Sequence, residues 1–213
     1  IKYLDEPLFI LVGGATGVGK SSISAELGHR LGINRVIGSD TIREIMRSII
    51  PRNLIPTLHQ SSFTAEGALQ SPHVKEKRIY AFEQQVQVVT QGVAAVIRRG
   101  VKEGLHMVLN GVHLVPGFLE KALDDMPGYA FSYVLSVPDP EQHAMFFYER
   151  EKGTRREAKR YIQSMESIQD LQEYIVECAR GRNVPVLENN EYETTLRTML
   201  EDIISGLSEE VEK

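Results

Sequence analysis

The sequence predicts an α/β fold: a five-stranded parallel sheet with helices on both faces. Short apolar runs and helix-spaced segments alternate about five times along the chain. The first run is wholly apolar rather than alternating, as in a strand buried on both sides. No internal repeat, low-complexity segment or interdomain linker interrupts the alternation, so residues 1–213 are expected to form one domain.

The elements follow in order. Residues 8–12 (LFILV) are long enough for a buried strand and too short for a helix. Lys20–Leu31 puts Ile23, Leu27 and Leu31 on one helical face, and Gly32 closes it. Residues 35–37 read as a second strand, followed by Gly38, Ser39 and Asp40, and residues 41–50 as a helix stopped by Pro51. Residues 51–72 hold Pro51, Pro56, Gly67 and Pro72, and an irregular stretch of this length in a compact domain is usually functional. A long helix is expected over 73–99, ending at Gly100. Strands three and four fall at 107–109 and 131–137, with a helix over 141–151 after the second. Residues 152–157 are basic around Gly153, and 158–180 read as one helix. A fifth strand at 184–187, a helix over 193–207 and a polar tail complete the chain.

Bulk composition narrows the class. The 213 residues are 42% hydrophobic and 25% charged, ordinary values for a soluble domain. A net charge of −5, from 24 Lys+Arg against 29 Asp+Glu, excludes nucleic-acid binding through bulk charge, so any anion site must be built locally. Cys178 is the single cysteine, which rules out an internal disulfide and suits a cytoplasmic protein. Residues 1–7 carry Asp5 and Glu6 and lack the apolar core of a signal peptide, and no run is long enough to span a bilayer. A chain that begins with Ile1 rather than methionine is expected to be trimmed, or to lack an N-terminal segment of a longer protein.

Gly14, Ala15, Thr16, Gly17, Val18, Gly19, Lys20 and Ser21 match G-x-x-x-x-G-K-[ST] at every fixed position, between an apolar strand and an amphipathic helix. Glycines let the backbone wrap phosphate with inward N–H groups, and the helix N-terminus adds its positive end. Lys20 is expected to reach the β- and γ-phosphates of ATP, Ser21 to ligate Mg²⁺ and Ser22 to donate to the α-phosphate. These residues predict a P-loop NTPase fold of the nucleoside-kinase-like kind.

Ligands of open α/β sheets sit beyond the carboxyl ends of the strands. Asp40, just past strand two, should face the γ-phosphate, accepting a proton from an acceptor hydroxyl or holding a magnesium-bound water. It is equally suited to cap the helix that follows. Arg43 and Arg47 share one helical face and form a candidate clamp for a small anionic, phosphorylated acceptor. Strand three ends in Asn110, where P-loop proteins commonly carry an acid; an amide can bond a magnesium water but cannot act as a base. His113 lies just beyond and is a candidate acceptor contact. His59, Gln60, Ser61, Ser62 and Thr64 either close over the acceptor or form a solvated loop.

Arg150, Arg155, Arg156 and Arg160 surround Gly153 and are expected to form a lid over about 150–160, with Arg150 and Arg155 the catalytic candidates. Asn189, after strand five, is a candidate contact for the adenine base.

The segments GGATGVGKSS, VIGSDTIREIMR, NGVHLVPG and YEREKGTRREAKRYI together resemble those of the archaeal 2-phosphoglycerate kinases. The likeness runs through nearly all of residues 8–200. It implies ATP-dependent phosphorylation of the 3-hydroxyl of 2-phosphoglycerate, giving 2,3-bisphosphoglycerate. The residues by themselves also admit a P-loop kinase for another small hydroxyl-bearing substrate, or a non-catalytic nucleotide-binding module.

Overall fold

The computed structural model describes residues 4–69, 76–119, 127–155 and 157–211. Arg156 and the expected first turn of the long helix at 73–75 lie outside them.

Five strands form one sheet: β1 (Leu8–Gly14), β2 (Val36–Gly38), β3 (Met107–Asn110), β4 (Tyr129–Ser136) and β5 (Val186–Glu188). Their order is β2-β3-β1-β4-β5 and every pairing is parallel. Among the described residues, seven α-helices connect or flank them: α1 (Lys20–Leu31), α2 (Ser39–Ile49), α3 (Lys77–Glu103), α4 (Pro140–Gly153), α5 (Ala158–Ile162), α6 (Met165–Arg180) and α7 (Tyr192–Val211).

β1 is buried along its whole length because both faces are covered. Leu8, Ile10 and Val12 pack with Ile23 and Leu27 of α1 and with Leu196, Met199 and Ile203 of α7. The alternate residues Phe9 and Leu11 pack with Ile42 of α2 and Val89, Val93 and Ile97 of α3. β1 sits between β3 and β4, so its carboxyl end opens at the reversal of strand order, where such sheets bind ligands.

Four boundaries differ from expectation for physical reasons. α2 begins at Ser39, directly after the extended Gly38, so Asp40 lies in its first turn and makes no capping bond. Gly100 does not end α3, because Phe9 and Met107 pack where a Cβ would stand; Gly104, at φ 63°, takes the left-handed cap instead. The helix expected over 158–180 breaks between Ile162 and Met165. Two 3-10 turns, Pro56–His59 and Ser62–Ala68, occupy the stretch read as irregular, and Leu58 and Phe63 bury there, so it is not a solvated loop.

Candidate active site

The glycine turn has the conformation its sequence requires. Gly14, Gly17 and Gly19 have φ of 131°, 92° and 86°, and a Cβ on Gly14 would stand 2.2 Å from the Leu135 carbonyl oxygen. Gly19 caps α1, and its carbonyl accepts the Ser22 and Ile23 amides at 3.1 Å each. The earlier N–H groups of this first turn have no intrahelical partner, which suits an anion. Lys20 is buried, and its Nζ donates to the Ala15 carbonyl at 2.5 Å. Burial lowers its pKa to about 8, against an opposing pull from Asp40. Ser21 and Ser22 are exposed at the mouth.

Three residues hold this turn from outside, two of which, His143 and Phe147, local patterns do not mark as functional. His143 lies in α4, fully buried; Gln169 donates to its Nδ1 at 2.9 Å, so its Nε2 donates to the Thr16 carbonyl at 2.8 Å. Phe147 stacks on His143 with centroids 5.2 Å apart, and a Cβ on Gly17 would meet the Phe147 ring at 2.4 Å. The third brace is Asn189: its Nδ2 donates to the Val18 carbonyl at 3.0 Å and it is only 3% exposed. One hydrogen of Nδ2 thus goes to the P-loop, and the buried Oδ1 has no hydrogen-bond partner in the protein.

Asp40 and Arg43 meet on the first turns of α2, Arg43 Nε lying 3.7 Å from Asp40 Oδ1. Asp40 is 60% exposed while Arg43 is 15% exposed, and Arg43 Nη1 donates to the Gln60 carbonyl. Arg47 does not join them: it pairs with Glu44 at 3.2 Å on a half-exposed face of the helix, so no two-arginine clamp forms. His113 is likewise corrected. It is 1% exposed, with Ser39 Oγ 2.8 Å from Nδ1 and Gln85 Oε1 3.0 Å from Nε2, so neither nitrogen faces an acceptor. Burial lowers its pKa to about 4, with Asp40 opposing and Arg43 and Lys20 reinforcing the shift. Asn110 is buried at the end of β3, in register with Val12 and Gly38.

In the segment expected to form a lid, Arg150 Cζ lies 5.7 Å from the Tyr161 ring centroid, and Tyr161 stacks on Phe147 at 4.7 Å. Arg160 donates to Ser61 Oγ at 2.6 Å and rests over Phe63. Arg155 is exposed. His59, by contrast, is engaged with the Ile50 carbonyl at 2.9 Å.

The donor set fits a nucleotide-bound magnesium ion. Ser21 offers an exposed hydroxyl next to Lys20 in the chain, and Asp40 an exposed carboxylate close enough to act on the Lys20 charge; both are hard oxygen donors. Among the described residues no group of three or more His, Cys, Asp and Glu could hold a metal ion.

No family model matches the chain. Among solved structures it is similar to shikimate kinase from Acinetobacter baumannii in complex with shikimate, at TM-score 0.56 and 16% identity over 96% of this chain and 97% of that one. TT1252 from Thermus thermophilus gives TM-score 0.56 at 20% identity, over 95% and 99%. These likenesses show a shared fold, that of P-loop kinases. Curated relatives carry more: 2-phosphoglycerate kinase of Thermococcus kodakarensis is 45% identical over 202 residues, 95% of this chain and 68% of the relative. That of Pyrococcus furiosus is 45% identical over 210 residues, 99% of this chain and 68% of the relative. The chain therefore spans about two-thirds of the length of these relatives, and it belongs to the 2-phosphoglycerate kinase family.

Proposed function

We propose that the chain transfers the γ-phosphoryl group of ATP to the 3-hydroxyl of 2-phosphoglycerate, giving 2,3-bisphosphoglycerate and ADP. The observation that carries this reading is the cationic and acidic pair, Lys20 and Asp40, at the carboxyl end of the sheet beside the half-buried Arg43. The chain acts as one kinase domain with its lid near residues 150–160.

The hydroxyl oxygen forms the new bond to the γ-phosphorus as the bond to the β,γ-bridging oxygen breaks. Asp40 accepts the hydroxyl proton. Lys20 exchanges the Ala15 carbonyl for the β- and γ-phosphates, and Ser22 donates to the α-phosphate. Arg43 takes an anionic group of the acceptor, while Arg150 and Arg155 close over the transferring group and exclude water. Ser21 and Asp40 would hold Mg²⁺, which when bound would neutralise phosphate charge. No part of this chemistry needs nucleic acid or a membrane; among the described residues no helix is long and apolar enough to cross one. The setting is cytoplasmic, where ATP is available and Cys178 stays reduced.

ADP release is measured with ATP and Mg²⁺, with and without 2-phosphoglycerate, using 3-phosphoglycerate and glycerate as controls. Stimulation by 2-phosphoglycerate alone, with 2,3-bisphosphoglycerate formed, is expected. Stimulation by a control compound alone moves the acceptor elsewhere. Tight ATP binding with no stimulation leaves a nucleotide-binding module. Asp40→Ala should abolish turnover while keeping nucleotide affinity.

A further inference from the structure

Around Gln85, in the middle of α3, the hydrogen-bond roles fix one another. The side chain is fully buried. Its Nε2 lies 2.7 Å from the Thr57 carbonyl oxygen and 3.0 Å from that of Gln60. Both partners only accept, so this atom is the amide nitrogen, with both hydrogens used. Oε1 is then an acceptor, and His113 Nε2 at 3.0 Å carries a hydrogen. The imidazole is kept neutral by burial, so its Nδ1 is bare and the Ser39 hydroxyl donates to it at 2.8 Å. The Gln60 carbonyl also receives Arg43 Nη1. Ser39 and Arg43 stand one turn apart on α2, so the bonds close into a ring.

Backbone detail protects the ring. Gly111 has φ 150°, and a Cβ there would lie 1.8 Å from Ser39 Oγ, in the space the hydroxyl needs to reach His113. The ring joins four segments that are far apart in the chain: the start of α2, the 56–60 turn, α3 and the loop after β3. Its two ends on α2 bracket Asp40.

We infer that Gln85 is a positioning residue for the acceptor, holding the 56–60 turn and, through His113 and Ser39, the first turn of α2, so that Asp40 and Arg43 face the P-loop. This rests on the kinase reading above. The ring touches α2 and the 56–60 turn rather than the glycine turn, so it acts first on the acceptor side and reaches the nucleotide side only through Asp40.

The test is steady-state kinetics of the full chain with ATP, Mg²⁺ and 2-phosphoglycerate, each substrate varied in turn. Gln85→Met keeps length and bulk but removes the amide; it should raise the KM for 2-phosphoglycerate about tenfold, the effect of roughly one lost buried hydrogen bond, with the KM for ATP within about twofold. Ser39→Ala acts at the other end of the ring, is the milder change, and carries the test if Gln85→Met does not fold. It should show the same split, and in the double variant the two effects should not add. Equal changes in both KM values, or an unchanged acceptor KM in an enzyme that turns over 2-phosphoglycerate, overturns the inference and leaves the kinase reading standing. A wild-type protein that 2-phosphoglycerate does not stimulate overturns both.

Discussion

Lys20 sits buried against the Ala15 carbonyl, with its pKa lowered to about 8 chiefly by burial and partly restored by Asp40. The sign of the consequence depends on the reference state. The folded value lies below the ordinary lysine value of 10.5, so the unfolded chain binds more protons between pH about 8 and about 10.5. Through Lys20 the empty protein therefore gains stability as pH rises across that window. Nucleotide acts in the opposite sense, because phosphates favour the ammonium form. Binding of ATP at pH about 8.5 should take up protons, read as a difference in calorimetric enthalpy between buffers of unlike ionisation heat. The same enthalpy in both would remove Lys20 from the phosphates. Lys20→Ala should lower kcat/KM by about 10³-fold or more, since this reaction relies on electrostatic stabilisation.

His113 gives a second pH window. Its folded pKa, about 4, lies below the ordinary histidine value of 6.5, so the neutral form is the one the fold accepts. Stability it contributes is present above pH about 6.5 and is lost as pH falls toward about 4. Thermal melts across this range should lose a pH-dependent component in His113→Gln. The same slope in wild type and variant would assign acid sensitivity elsewhere, such as to His143, whose pKa burial also lowers. The P-loop was legible in the sequence because its signal is local: eight consecutive residues between a strand and a helix. His143 and Gln85 were not, because their partners Thr16 and Gln60 lie 127 and 25 residues away, and Asn189 was legible as a candidate site residue but not as a brace of Val18, 171 residues away.

Helix contacts explain most of what could be read of the elements and most of what could not. The apolar strand runs and the spacing of α1 follow from burial alone. Helix ends depend on what packs against them, as Gly100 and Gly104 show. Gly92 of α3 makes the same point at the candidate site. A Cβ there would meet Ile42 Cγ2 at 2.5 Å and Met46 Sδ at 3.0 Å, so the missing side chain lets α2 lie close on α3. Gly92→Ala gains about 1 kcal/mol of helix propensity but forces α2 outward, and overpacking costs typically about 1–3 kcal/mol. The net expectation is a modest fall in melting temperature with a raised KM for the acceptor, because α2 carries Asp40 and Arg43. An unchanged acceptor KM would mean that α2 tolerates the displacement without moving the two side chains.

The whole molecule is acidic, at −5, yet Lys20 and Arg43 both lie near Asp40 beyond the sheet's carboxyl end. Parallel topology does this: five strands end on one side, so residues from distant segments meet there. The stack from His143 through Phe147 to Tyr161 links the P-loop side to the segment expected to form a lid. It also makes the two candidate arginines of that segment unequal. Arg150 is packed over Tyr161, so Arg150→Ala disturbs the stack as well as the charge and should lower both melting temperature and kcat. Arg155 is exposed, and its removal should leave the melting temperature unchanged. If it reaches the transferring group on closure, Arg155→Ala lowers kcat by about 10²-fold with little change in the KM for ATP, as expected for a donor engaged only in the transition state. A kcat within twofold of wild type would return Arg155 to the solvent and leave Arg150 as the cation that the lid delivers.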